Sequence, residues 1–515
     1  MKYSILFVSL LFIGITGCKK ANNDDKPNPE PEEEEFFVNE DPATFAEIGM
    51  IDVGSVGAAE ITAYDSVTQR LFIVINNEDD NTNRIEVVDF SNPASMKVIT
   101  SINVQPYGGM VNSVSVYNGK LAAAIESTDK QANGKVAIFK TGDYSLIKAV
   151  EVGALPDMVT WSPNGKYILT ANEGEPNSDY TNDPKGTVSI ISVENDYAVT
   201  TIDFSAFSGQ EAALKAKGLR VFGLNADFVK DIEPEYVTVS SDSKTAWVTL
   251  QENNAIAKIN IDTKAITDIF PLGFKDYNAD GNEIDPSDDD DATTARKVKV
   301  KGIYMPDGIA VLEQGGTPYL FTANEGDARE YDAFEEVKRV KAVTLDPTAF
   351  PDWADLRKDE KLGRLNITTT LGDTDGDGDF DELYSLGARS FSVWNGSNGN
   401  LVFDSKNELD KKTIAADLYD DGRSDDKSVE PEGIAIGAIG RKKVAFVGME
   451  RADAVAVYDV TNPTAPVFLQ LLTSGDAPEG VLIIPARQSP TKKSLLVVSS
   501  ENDGVVKVYT PDTIK

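Results

Sequence analysis

Carboxylates carry whatever chemistry this chain can perform. Its 515 residues contain 84 Asp and Glu against 49 Lys and Arg, and no histidine, for a formal charge of −35. Without imidazole there is no Ser-His-Asp or Cys-His catalysis and no proton shuttle of that kind. No zinc–histidine, haem or nucleotide site is expected, and any metal must be a hard cation held by oxygen. The run DTDGDGDFDELY, Asp373 to Tyr384, has the matching pattern. Asp373, Asp375, Asp377 and Gly378 fit positions 1, 3, 5 and 6 of a calcium loop, Asp379 would offer its carbonyl at 7, and Asp381 falls at 9. Tyr384 replaces the bidentate Glu of position 12, so a helix-loop-helix sensor is not expected; Glu382 or a carboxylate from elsewhere would complete the shell. A second acidic run, residues 276–291, starts on the same pattern but loses its register.

Further carboxylates recur at fixed places in a repeat. One set is Glu60, Asp157, Glu235, Asp307, Glu432 and Glu479, with neutral Ser113 as the exception; the other is Glu78, Glu126, Glu173, Glu252, Glu325, Glu450 and Glu501. Gathered at one place, they would repel and raise one another's pKa values unless bases or bound cations compensate. Glu173 and Glu325 stand out, because both lie in a Thr-Ala-Asn-Glu-Gly string ahead of an insertion. They are candidate metal ligands or acid–base groups, with Asp307, Glu432 and Glu450 as further ligands. The alternative is that each Glu accepts hydrogen bonds from a neighbouring unit's backbone. Arg220, Arg329, Arg364 and Arg389 are candidate phosphate clamps, and Arg329 and Arg389 join Glu173 and Glu325 as catalytic candidates.

The elements that must position these groups are short strands. The plan PDMVTWSPNGKYILTANE (156–173) recurs from Pro306, Pro234, Pro431 and Pro478, and in looser form from Glu60 and Asn112, making seven copies. Each has two runs rich in Val, Ile, Leu and aromatics around a polar turn, a hairpin signal. A third run such as AVAVYDV (454–460), and in most copies a fourth, completes about four antiparallel strands, the composition of a propeller blade. The expected fold is all-β: a seven-bladed β-propeller occupying residues 45–515. An open sandwich or two propellers is the weaker arrangement. The last copy stops after three strands, and FAEIGMIDVG (45–54) precedes the first, so this N-terminal strand is expected to close the ring and cover two edges. Insertions at 174–186, 205–233, 275–302, 326–386 and 404–430 all fall in connections that share one rim with the acids. So much chain on one face of a rigid scaffold points to function.

Residues 1–17 read as a signal peptide, with Lys2 followed by an apolar run and small residues. Ile15-Thr16-Gly17-Cys18 resembles the lipobox of bacterial lipoproteins, which implies cleavage before Cys18 and lipidation of that residue, the only cysteine. Residues 18–44, acidic and spaced by Pro27, Pro29 and Pro31, read as an extended disordered tether.

Four stretches resemble the choice-of-anchor I family, which is related to the mesenchyme-specific cell-surface glycoprotein of echinoderms: 156–177, TANEGDARE (322–330), 372–394 and EPEGI (430–434). The resemblance implies an extracytoplasmic propeller with a variable anchor, here a lipid. Some members of that family bear the label alkaline phosphatase. The functional expectation is a calcium-binding surface module that presents its acidic face to an extracellular small molecule, polymer or mineral. It would be a monomer, anchored by lipid to the bacterial envelope, in the outer membrane and exposed at the surface. A chain this acidic offers no footprint for nucleic acid. The alternative is a calcium-dependent phosphoric ester hydrolase built on clustered carboxylates and Arg; a lyase or glycosidase with paired carboxylates is more remote.

Overall fold

The computed structural model describes residues 36–54, 56–76 and 83–514. Cys18, the signal peptide, most of the expected tether and Glu78 lie outside them.

Seven four-stranded antiparallel sheets hold the seven sequence copies. The copies' first runs become the innermost strands Ala58–Asp65, Val111–Tyr117, Pro156–Trp161, Val237–Val239, Ile309–Gln314, Pro431–Ile439 and Pro478–Ile484. Each packs on the next in chain order, and the last returns to the first, so the sheets are the blades of a closed propeller. Tight turns make the hairpins: Asn118-Gly119, with φ of 44° and 79°, joins Tyr117 to Lys120. Two residues with positive φ suit the right-handed twist of the flanking strands.

A propeller has no single core, and the burial here follows the blade interfaces. Seven separate hydrophobic clusters lie between consecutive blades, one of them joining Leu71 and Ile73 of the first blade to Leu495 and Val497 of the last. The second strand of each blade is sealed on both faces, as in Leu71–Ile75 and Leu121–Ile125.

The N-terminal strand is the outer edge of the last blade, as expected. It spans Glu40–Asp52, however, and so begins five residues ahead of the expected domain boundary at 45. Its pairing with Val505–Thr513 runs from Glu40↔Thr513 to Asp52↔Val505 with irregular register between Asp41 and Ala46. That break accommodates Pro42, which has no N–H for a ladder and makes the segment read as tether. Glu40 is buried, its carboxylate accepting from Ser494 N at 2.8 Å and Ser494 Oγ at 2.6 Å.

The long connections at 205–233, 275–302 and 326–386 are packed structure. Residues 275–302 and 326–386 share a hydrophobic cluster that includes Tyr277, Ile284, Val300, Val340, Phe350, Leu365 and Leu383, and Lys301–Ile303 pairs in parallel with Tyr384–Ser385. The 205–233 segment carries the short helix Glu211–Lys215 and packs Phe207, Leu219 and Phe228 against the fourth blade.

Candidate functional site

The start of an innermost strand is shaped to turn an acid inward. Leu155, Met305, Glu430 and Ala477 have φ of 46°, 47°, 46° and 57°, and each is followed by Pro and then by Asp157, Asp307, Glu432 or Glu479. A non-glycine residue in this region costs about 1–3 kcal/mol. Such strain repeated in four blades marks the position as one the fold maintains.

The ends of the second strands are fixed by an asparagine. Asn172 Nδ2 donates to Thr187 O and Oγ1 and to Ser189 Oγ at 3.0–3.2 Å, tying the second strand to the third. Asn324 Nδ2 does the same to Ser390 Oγ at 3.3 Å and Ser392 Oγ at 2.8 Å. The Thr-Ala-Asn-Glu string is therefore a strand clamp followed by the acid it positions, Glu173 or Glu325.

These acids converge on the mouth of the central channel. A cavity of about 690 Å³ is lined by Glu60, Glu126, Asp157, Glu173, Glu175, Glu479 and Glu501 among others. A contiguous one of about 260 Å³ is lined by Asp157, Glu235, Asp307, Glu325, Glu432 and Glu479. Below them the bore loses its acids and continues as a space of about 290 Å³ lined by Ile61, Val114, Val159 and Leu482 together with Ser113, Ser115 and Thr160.

Burial is the first cause of the perturbed acidity here, and neighbouring acids add to it. It pushes Asp157 to about 7, Glu252 to about 8 and Glu450 to about 7, and holds Glu60, Glu173, Glu235, Asp307, Glu432 and Glu479 well above the ordinary carboxylate range. Three sets of carboxylates each bring one oxygen apiece within 4.8 Å of the others: Glu173, Glu235 and Glu252; Asp307, Glu325 and Glu432; and Glu325, Glu430 and Glu450.

The sets differ in counter-charge. Lys427 Nζ lies 3.1 Å from both Glu325 Oε1 and Glu430 Oε2, and Arg423 donates to Glu430 Oε1 through Nε and Nη2 at 2.9 and 2.5 Å. Arg451 pairs with Glu450 at 2.9 Å. By contrast, the charges acting most strongly on Glu173 are Glu175, Asp157, Glu252 and Glu233, all acids.

The arginines proposed as clamps are engaged elsewhere. Arg329 is buried between Asp231 at 2.5 Å and Glu233 at 2.5 Å, with Phe222 under its guanidinium. Arg220 is buried against Glu336. Arg389, also buried, donates to the carbonyls of Asp285, Ser424 and Asp426. Arg364 holds Asp288 through two bonds of 2.7 and 2.6 Å. Their positive charge goes to internal partners that order the insertions.

The Asp373–Asp381 loop stands apart from the mouth. Asp373, Asp375 and Asp381 bring oxygens within 4.8 Å of one another, and Asp379 and Asp381 do so with Asp346. Asp377 belongs to neither set, and accepts from Asp379 N at 3.1 Å. Gly378, with φ of 97°, makes the turn that position 6 of a calcium loop requires. Glu382, expected to complete the shell, accepts from Lys301 at 2.8 Å and from the Tyr384 hydroxyl, and Asp346 lies beside Asp379 and Asp381.

Sequence reasoning passed over Asp346, Lys427, Glu233 and Glu430. The last two had a readable signal, since Glu233-Pro234-Glu235 and Glu430-Pro431-Glu432 share one string in which the first Glu pairs with Arg and the second faces the channel.

A family profile described as the choice-of-anchor I domain matches residues 60–463. Gigasin-3a of Magallana gigas is 29% identical over 197 residues, covering 30% of this chain and 69% of that protein. The mesenchyme-specific cell surface glycoprotein of Strongylocentrotus purpuratus is 25% identical over 334 residues, covering 54% of this chain and 42% of that protein. Among solved structures, hydrazine synthase of Kuenenia stuttgartiensis aligns at a TM-score of 0.48 with 12% identity, over 90% of this chain and 98% of the other. The Pan2 WD40 domain of Neurospora crassa aligns at 0.48 with 9% identity, over 93% and 99%.

Proposed function

The chain belongs to the choice-of-anchor I family, a cell-surface β-propeller, and on that premise we propose that it binds calcium and presents its acidic, insertion-capped face to an extracellular ligand, polymer or mineral. The observation that carries this reading is the convergence of acids from successive blades on one mouth. The Asp373–Asp381 loop, with Asp346 beside it, is the exposed calcium seat. Hard, flexible oxygen ligands around a glycine turn suit calcium. The name of the sea-urchin relative supports a place at the cell surface, and lipidation of Cys18 would hold this chain to the bacterial outer membrane.

Hydrolysis of phosphate esters draws less support. The carboxylates for a metal are present, but the candidate anion clamps are committed to internal partners.

Calorimetric titration of the mature protein with calcium tests the proposal. Saturable binding should weaken strongly in the Asp373→Asn/Asp375→Asn variant. At a thousandfold excess over Kd, calcium should add on the order of 4 kcal/mol of stability. A protein that binds no calcium and melts alike with and without chelator would refute it.

A further inference from the structure

We propose that Glu173, Glu235 and Glu252 form an interior site for a hard divalent cation that joins the third and fourth blades. The site is separate from the Asp373–Asp381 loop and does not depend on that loop holding calcium.

Geometry comes first. One carboxylate oxygen from each of the three lies within 4.8 Å of the other two. Oxygens bound to one calcium ion at 2.3–2.6 Å lie at most about 5 Å apart, so this spacing allows a shared ion. The ligands sit on rigid supports: Glu173 follows the Asn172 clamp, Glu252 follows the buried strand Thr245–Leu250, and Glu235 N donates to Thr249 O at 3.0 Å.

The second observation concerns hydrogen bonding. Glu252 is 5% exposed, yet its Oε2 is buried without a hydrogen-bond partner, and Glu235 Oε2 is in the same condition. A buried carboxylate oxygen left unpaired is costly, and natural proteins seldom leave one without a ligand, a water or an ion. The other mouth sets have cations of their own in Lys427, Arg423 and Arg451. Here the nearest arginine, Arg329, already pairs with Asp231 and Glu233. Three inward carboxylates that have no ion pair of their own among the described residues, with Arg329 reaching Glu252 only at longer range, call for an ion from solution, and an all-oxygen set selects calcium, magnesium or manganese.

The fourth blade also has the shortest innermost strand among the described residues. The innermost strand of the fourth blade, Val237–Val239, is three residues long, whereas the other six run from six to nine. An ion held by Glu173 of the third blade and by Glu235 and Glu252 of the fourth would bridge the blades beside that short strand.

The test uses the mature protein carrying Asp373→Asn/Asp375→Asn, which removes the exposed seat, titrated calorimetrically with calcium and with manganese. About one equivalent should still bind. Adding Glu252→Gln should weaken it at least tenfold, and Glu235→Gln serves as the second variant should the first fail to fold. Hydrogen exchange at Val237–Val239 should slow when the ion is added and stay unchanged in either Gln variant. Loss of all binding on removing the exposed seat would overturn the interior site while leaving the calcium loop intact. Residual binding that both Gln variants retain would overturn it equally.

Discussion

Lys427 Nζ stands 3.1 Å from Glu325 Oε1, whereas among the described residues Glu173 has no ion pair, although the two glutamates occupy the same place in the same five-residue string. Lys427 comes from the 404–430 insertion, so equivalence between blades is broken by chain that lies outside the repeat.

The two positions should therefore respond oppositely to the same change. Glu173→Gln replaces a carboxyl whose ionisation burial and neighbouring acids oppose, so without divalent cations the variant should be at least as stable as the parent. Glu325→Gln strips Lys427 of a partner and should destabilise by about 1–3 kcal/mol. Urea denaturation in the presence of a chelator measures both; a loss of stability in Glu173→Gln equal to that in Glu325→Gln would contradict the assignment.

Lys427→Met should be the more damaging variant. It leaves Glu430, whose side chain is fully buried, with one fewer cation and Glu325 with none. Breaking a buried pair from one side costs about 3–5 kcal/mol. Calcium should recover part of the loss, read as a shift in melting temperature.

The mouth sets a pH dependence of definite sign. Asp157, Glu252 and Glu450 hold protons to about 7, 8 and 7 in the folded protein, whereas the unfolded chain releases them near pH 4. Between those limits the folded state binds more protons, so stability without metal falls as pH rises, by up to about 1.4 kcal/mol per pH unit for each such group. Chelated protein should melt higher at pH 5.5 than at pH 8, and divalent cations should flatten the difference by neutralising the ionised forms. A melting temperature that rises with pH in chelator would reverse the sign and refute the buried-acid picture.

Truncation separates tether from fold at Glu40. Removing residues 1–39 should leave a cooperative transition at the parent temperature. Removing residues 1–52 bares the Val505–Thr513 edge and takes Phe45 from its contact with Phe446, so aggregation or a much lower transition is expected. Light scattering and thermal melting distinguish the two.

The architecture was legible because a propeller writes itself in repeats. Hairpins such as Tyr117-Asn118-Gly119-Lys120 and the Pro-Asp or Pro-Glu strand starts can be read one blade at a time. Long-range partners left no such trace. Nothing near Arg329 announces Asp231, 98 residues earlier, and Asp346 reaches the Asp373–Asp381 loop only through the fold of the insertion. Charged groups in a repeat are placed by the repeat, whereas their neutralising partners come from unique loops that local patterns do not encode.

The direction of the N-terminal strand fixes the face at which the chain enters the propeller. Val505 follows the mouth residue Glu501, so the Asp52↔Val505 end of the pair is at the mouth and the Glu40↔Thr513 end is at the far side. There Glu40 grips Ser494, in the hairpin turn farthest from the acids. The polypeptide thus enters the propeller through its back. Anything joined upstream of Asn39 is therefore attached on the side away from the carboxylate funnel, and leaves the funnel unobstructed.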